Sequence, residues 1–196
     1  MIKIIKDKDL IWDTDKYDVI LVGTSIYCMF GRGGFQLKMK YKYDFLEPAN
    51  DLTPYADLRK LGTRLTLNEK DCPIISLLYI CKYPSSKNEF IDWEGFEKCL
   101  RTANAEFKGK TIATTVLGST CFDGNGDKER CMKLIEECMT DVDITIYDYE
   151  QLSAQKEIGA YRGYVFRQRK DKEKYKALVK GMDDYLISQF LKPKHD

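Results

Sequence analysis

The chain has one histidine, no Cys-x-x-Cys pair, almost no net charge and no long apolar run. The histidine, His195, lies in a polar C-terminal tail. The seven cysteines (Cys28, Cys72, Cys81, Cys99, Cys121, Cys131 and Cys138) are scattered and odd in number. That pattern argues against a disulfide framework and, with so little histidine, against a zinc site. Several fall in apolar periodic stretches, where a free thiol behaves as a small hydrophobe. A reducing compartment is therefore expected, with no metal and no cofactor. The 32 basic residues nearly cancel the 31 acidic ones, leaving a net charge of +1. Such balance argues against a protein built mainly to coat nucleic acid, although a local basic face can hide in it. No apolar stretch approaches the ~20 residues that a membrane span needs. The segment Met1-Ile2-Lys3-Ile4-Ile5-Lys6-Asp7 is charged too soon for a secretion signal. A cytoplasmic protein with no membrane partner is expected.

What is present is an α/β pattern. The 196 residues suffice for one domain with a proper core, and 43% of them are hydrophobic. Val19-Ile20-Leu21-Val22 is apolar on both faces, as an interior strand should be, and Phe30-Gly31-Arg32-Gly33-Gly34-Phe35 follows it. Glycines there let backbone N–H groups approach a ligand, and the helix start beyond them favours negative charge. The arrangement recurs where Thr111-Ile112-Ala113-Thr114-Thr115-Val116-Leu117 runs into Gly118-Ser119-Thr120, with a helix pattern beginning near Asp127. Two such turns suggest an anion gripped twice, such as a diphosphate.

Further strands are expected over residues 2–5, 63–67, 74–80 and 144–147, with the middle two forming a hairpin. Helices are expected over 35–43, near 93–103 and after Asp127, and Pro48, Asn50 and Pro54 predict an irregular loop over 47–60. The result is an α/β sandwich with a parallel or mixed central sheet. Residues 1–150 form this domain. Residues 151–196 read as a C-terminal helical extension, packed on the domain or on a protein partner. Within it, residues 161–170 are basic with interleaved aromatics. That composition suits nucleic acid, or simply a solvated face with its rings turned inward.

The order of strands and glycine turns resembles a macro domain, the ADP-ribose-binding fold. The resemblance implies a three-layer α/β/α macro-domain-like sandwich with a mixed central sheet. Lys8-Asp9-Leu10 stands where the family carries a Gly-Asp-Ile or Gly-Asp-Leu motif, which implies that Asp9 binds the adenine amino group; alternatively Asp9 caps a turn. Gly31, Gly33 and Gly34 resemble the first phosphate loop, in which Arg32 either clamps a phosphate or fills the cleft. Gly118, Ser119, Thr120, Cys121 and Phe122 resemble the second. Leu61-Gly62-Thr63 resembles a recurrent turn of the fold. Tyr147 stands where some members stack a ring on adenine, and packing is its other reading. The family's Asn-Ala-Ala-Asn, which contributes to the distal ribose, is replaced by Val22-Gly23-Thr24-Ser25. The resemblance then implies that Ser25 contacts the ligand, without that carboxamide.

A second branch lacks the asparagine too. It comprises glycohydrolases that clear ADP-ribose from glutamate and DNA ADP-ribose hydrolases of toxin–antitoxin pairs. Resemblance to this branch implies catalytic roles for Lys82, after Leu78-Tyr79-Ile80-Cys81, and for Asp123, whose alignment needs a one-residue shift. The alternatives are a surface lysine before the Tyr83-Pro84 turn and an aspartate opening the turn Gly124-Asn125-Gly126. The resemblance implies ADP-ribose or an ADP-ribosylated protein or nucleic acid as partner. A fold alone does not settle function, so a catalytically inactive building block of a large assembly, such as a phage virion, stays open.

Overall fold

A computed structural model describes residues 1–28, 30, 34–82, 91–117 and 127–149. Among them six strands form one sheet: β1 (Ile2–Lys6), β2 (Val19–Ser25), β3 (Arg64–Leu67), β4 (Ile74–Cys81), β5 (Thr111–Thr115) and β6 (Asp143–Asp148). Their spatial order is β1-β6-β5-β2-β4-β3. Every neighbouring pair is parallel except β3 and β4, which form the expected antiparallel hairpin. Among the described residues four α-helices accompany the sheet: α1 (Gly34–Lys42), α2 (Leu46–Asp51), α3 (Trp93–Glu106) and α4 (Lys128–Cys138).

Alternation along the two most buried strands divides the core in two, since successive strand residues point to opposite faces. Val19 and Leu21 of β2, with Leu78 and Ile80 of β4, pack under Phe96 and Leu100 of α3 and Cys131 and Ile135 of α4. Ile20 and Val22, with Ile75 and Leu77, face Met39 of α1, Leu46 of α2, and Leu10 and Ile11. Helices thus cover both faces of a mixed sheet, which is the three-layer α/β/α arrangement expected.

Both helices of the first face begin on an aspartate. Asp92 accepts a hydrogen bond from Gly95 N at 3.0 Å and Asp127 from Arg130 N at 2.9 Å, each satisfying an orphan donor of the first turn. The start of α3 sits unusually close to the turn at Gly62. A β-carbon on Gly95 would stand 2.8 Å from Gly62 N, and Gly62 itself has φ +75. Neither position has room for a side chain.

The expected loop over 47–60 is instead partly helical, containing α2 and a 3-10 turn at Leu58–Lys60. Pro48 is tolerated because it lies in the first turn of α2, where no N–H is needed within the helix. The helical extension expected over 151–196 lies outside the described residues. No helix among those described is long and apolar enough to cross a membrane.

Candidate functional site

Because β1, β6, β5, β2 and β4 are all parallel, their C-terminal ends share one edge of the sheet. Ligands of open α/β sheets bind outside such an edge. Ser25 ends β2 and pairs in register with Cys81 at the end of β4, after a bulge at Thr24/Ser25. Lys82 follows Cys81 directly, so Ser25 and Lys82 lie on adjacent strand ends. Ser25 Oγ accepts from Tyr27 N at 3.3 Å, which turns the chain away from the sheet.

Described residues that flank the two glycine segments meet at Gly23. Gln36, near the start of α1, donates its side-chain amide to the Gly23 carbonyl. Leu117, the residue before Gly118, lies on the same glycine: a β-carbon at Gly23 would stand 3.5 Å from Leu117 Cδ2 and 3.0 Å from Ile80 Cδ1. Gly34, at φ +54, opens α1. Gly31, Arg32, Gly33, Gly118, Ser119, Thr120, Cys121, Phe122 and Asp123 lie outside the described residues.

Lys82 is half exposed, and its ammonium pairs with Asp92 Oδ1 at 2.6 Å. Asp92 also caps α3 through its other oxygen. The lysine is therefore tied to the helix start that Gly62 supports. An attack by the Lys82 amine would therefore require its side chain to leave Asp92.

Asp9 follows β1 and does cap a turn. Its Oδ1 accepts from Ile11 N at 3.1 Å, and its Oδ2 pairs with Lys38 of α1. Both residues of that ion pair are buried, and the Lys38 ammonium stands 5.6 Å from the centroid of the Tyr149 ring. The Asp9 carboxylate is thus engaged on both oxygens, and a base amino group would have to compete with a buried ammonium. Sequence reasoning missed Lys38 because α1 carries no clear apolar stripe. The signal was available only as a lysine between the buried Leu37 and Met39.

Tyr147 corrects an expectation. Its ring does not lie open for stacking but is 1% exposed within the second core. Its hydroxyl donates to Asp13 Oδ2 at 2.8 Å and lies 2.9 Å from the Tyr17 hydroxyl. Burial, reinforced by Tyr17 and Asp13, pushes this phenol well above its ordinary value. Burial also raises the Asp13 carboxyl, but hydrogen bonds from Lys16, Lys8 and Tyr147 outweigh it and hold the group at about 2. An aromatic ring that does stand over the Lys38 ammonium is that of Tyr149, one residue beyond β6.

Among the described residues no three His, Cys, Asp or Glu side chains gather in a metal-binding group. No protein-family model matches the chain, and no curated protein matches it. Its fold is nonetheless shared with solved structures. The macrodomain of Mycobacterium tuberculosis DarG superposes with a TM-score of 0.60 at 18% identity, covering 76% of this chain and 99% of that one. The macrodomain of Thermus aquaticus DarG gives 0.56 at 14%, covering 76% and 98%. Thermosipho africanus DarTG, solved in complex with ADP-ribose, gives 0.56 at 12%, covering 79% of this chain and 44% of that one. With its 1-6-5-2-4-3 sheet between two helical layers, the described part of this chain shares the fold of these macrodomain structures.

Proposed function

We propose that the chain binds ADP-ribose at the C-terminal edge of its sheet and that Lys82 and Asp123 hydrolyse an ADP-ribosyl linkage there. The meeting of Gln36 and Leu117 at Gly23 supports this reading, because it brings the stems of both glycine turns to one place. The diphosphate lies between the turns formed by Gly31, Gly33 and Gly34 and by Gly118, Ser119, Thr120, Cys121 and Phe122, where backbone N–H groups and the start of α1 favour negative charge. Ser25 contacts the distal ribose beside Lys82. The base lies toward Asp9, against Lys38 and Tyr149. The fold shared with Thermosipho africanus DarTG, solved in complex with ADP-ribose, adds to the case.

In the chemical step the neutral Lys82 amine forms a C–N bond at the anomeric carbon as the bond to the modified carboxylate breaks. Asp123 moves the proton that opens the ribose ring and leaves an imine. Water then hydrolyses the imine, freeing Lys82 and ADP-ribose. The Lys82–Asp92 ion pair favours a second reading, binding without turnover, in which the lysine stays an ammonium.

Titration calorimetry with ADP-ribose tests the binding. Heat is expected, and none at millimolar ligand returns the chain to a purely structural role in an assembly. Borohydride should then trap the sugar on Lys82, and Lys82→Ala should abolish release from an ADP-ribosylated glutamate substrate. Binding without trapping or release selects the non-catalytic reading.

A further inference from the structure

Among the described residues five large hydrophobic side chains are exposed, and three of them fall within one short segment: Leu52 at 89%, Tyr55 at 69% and Leu58 at 66%. The segment joins α2 to β3 and lies against the end of β2. Ala56 N donates to Ile26 O at 2.9 Å, and the Tyr55 ring meets the Tyr27 ring edge-on, with centroids 5.6 Å apart. Thr53 N donates to Asn50 O at 3.1 Å, and Asp57 caps the 3-10 turn by accepting from Arg59 N at 2.9 Å. The backbone is thus pinned at several points while its apolar side chains face water. Apolar side chains grouped in this way mark an interaction surface, whereas scattered ones do not.

The chain itself carries a surface of matching character. Beyond Tyr149, Tyr175, Leu178, Val179, Met182, Leu186 and Phe190 recur at the spacing of one helix side. A helix of that length is marginal alone in water and gains its stability by laying its apolar side on another surface. The route is short. β6 delivers the chain to the same edge of the sheet as β2, and only β5 separates the two strands, so their ends stand about 10 Å apart. The 25 residues between Tyr149 and Tyr175 would span about 25–30 Å as a coil, which exceeds that separation. A tether of this reach holds the two surfaces at an effective concentration near the millimolar range. A second copy is a poorer occupant, because three side chains fall short of the ~800 Å² per partner that a stable interface buries.

We propose that residues 175–190 dock as a helix on the patch formed by Leu52, Tyr55 and Leu58 of the same chain. The extension then lies beside the strand end that carries Ser25. This inference is independent of ADP-ribose binding.

The test places the photo-cross-linker p-benzoylphenylalanine at position 55 of the full chain. Illumination should join it to a peptide from residues 172–191, at the mass of a single chain. Leu178→Asp combined with Leu186→Asp should lower the yield about tenfold or more, because a carboxylate is costly to bury in an apolar contact. Leu52→Asp combined with Leu58→Asp should do the same; both side chains are exposed, so Tm should confirm that the domain stays folded. Cross-linking at the mass of two chains assigns the patch to a second copy and refutes the proposal. Cross-links only to other segments, or none, also refute it. A yield unchanged by either pair of aspartates refutes the apolar contact.

Discussion

Replacing Gly95 with alanine tests how α3, and with it Asp92 and Lys82, is seated. In an ordinary helix the change stabilises by about 1 kcal/mol, because alanine has the higher helix propensity. Here the new β-carbon would stand 2.5 Å from Asp92 Oδ2 and 2.8 Å from Gly62 N. Displacing the first neighbour breaks the cap that Asp92 makes to Gly95 N, at a cost of about 1 kcal/mol. The second neighbour is backbone, held by a 3.1 Å hydrogen bond from Gly62 N to Tyr79 O, and cannot swing aside. Overpacking against such a neighbour costs about 1–3 kcal/mol. The propensity gain roughly offsets the lost cap, so Gly95→Ala should be less stable by about 1–3 kcal/mol. For a domain of this size that lowers Tm by about 2–4 °C per kcal/mol. Thermal unfolding followed by circular dichroism, with urea midpoints alongside, measures it. A Tm that rises, as helix propensity alone demands, refutes the close seating of α3 on the Gly62 turn.

Asp13 gives a pH signature. Its carboxyl lies near 2 in the folded chain against an ordinary 3.8, so its stabilisation is present above 3.8 and is lost as pH falls toward 2. That is worth about 2 kcal/mol. In urea titrations Asp13→Asn should be less stable than wild type at pH 6, and the two should converge toward pH 2; a gap that stays constant with pH sinks this reading. Lys38→Met leaves the Asp9 carboxylate buried without its cation, at a cost of about 3–5 kcal/mol. Adding Asp9→Asn should recover most of the loss, whereas strictly additive effects in the double-mutant cycle would show that the two side chains are not paired.

Much of the architecture was written in local pattern. The doubly apolar run at 19–22, the hairpin at 63–80 and the helical spacing of Trp93, Phe96, Cys99 and Leu100 each name their element, because burial on one or two faces dictates the period of apolar residues. The segment over 47–60 reads as a loop because proline usually breaks a helix, although in a first helical turn it breaks nothing. The roles of single side chains were not legible. Asp9 reads equally as a ligand contact or as a cap, and only the approach of Lys38 from α1 engages both of its oxygens. Tyr147 reads as a strand-end ring, and only Asp13 and Tyr17, far away in sequence, draw its hydroxyl inward. Lys60 and Cys28, 32 residues apart, are unremarkable in the chain and become a buried cation and its sulfur neighbour when α2 and the 3-10 turn close over β2. Periodicity is a property of consecutive residues, so the sequence determined the layers. Charge pairing across those layers depends on distances set by packing, so the tertiary structure decided what each site residue touches.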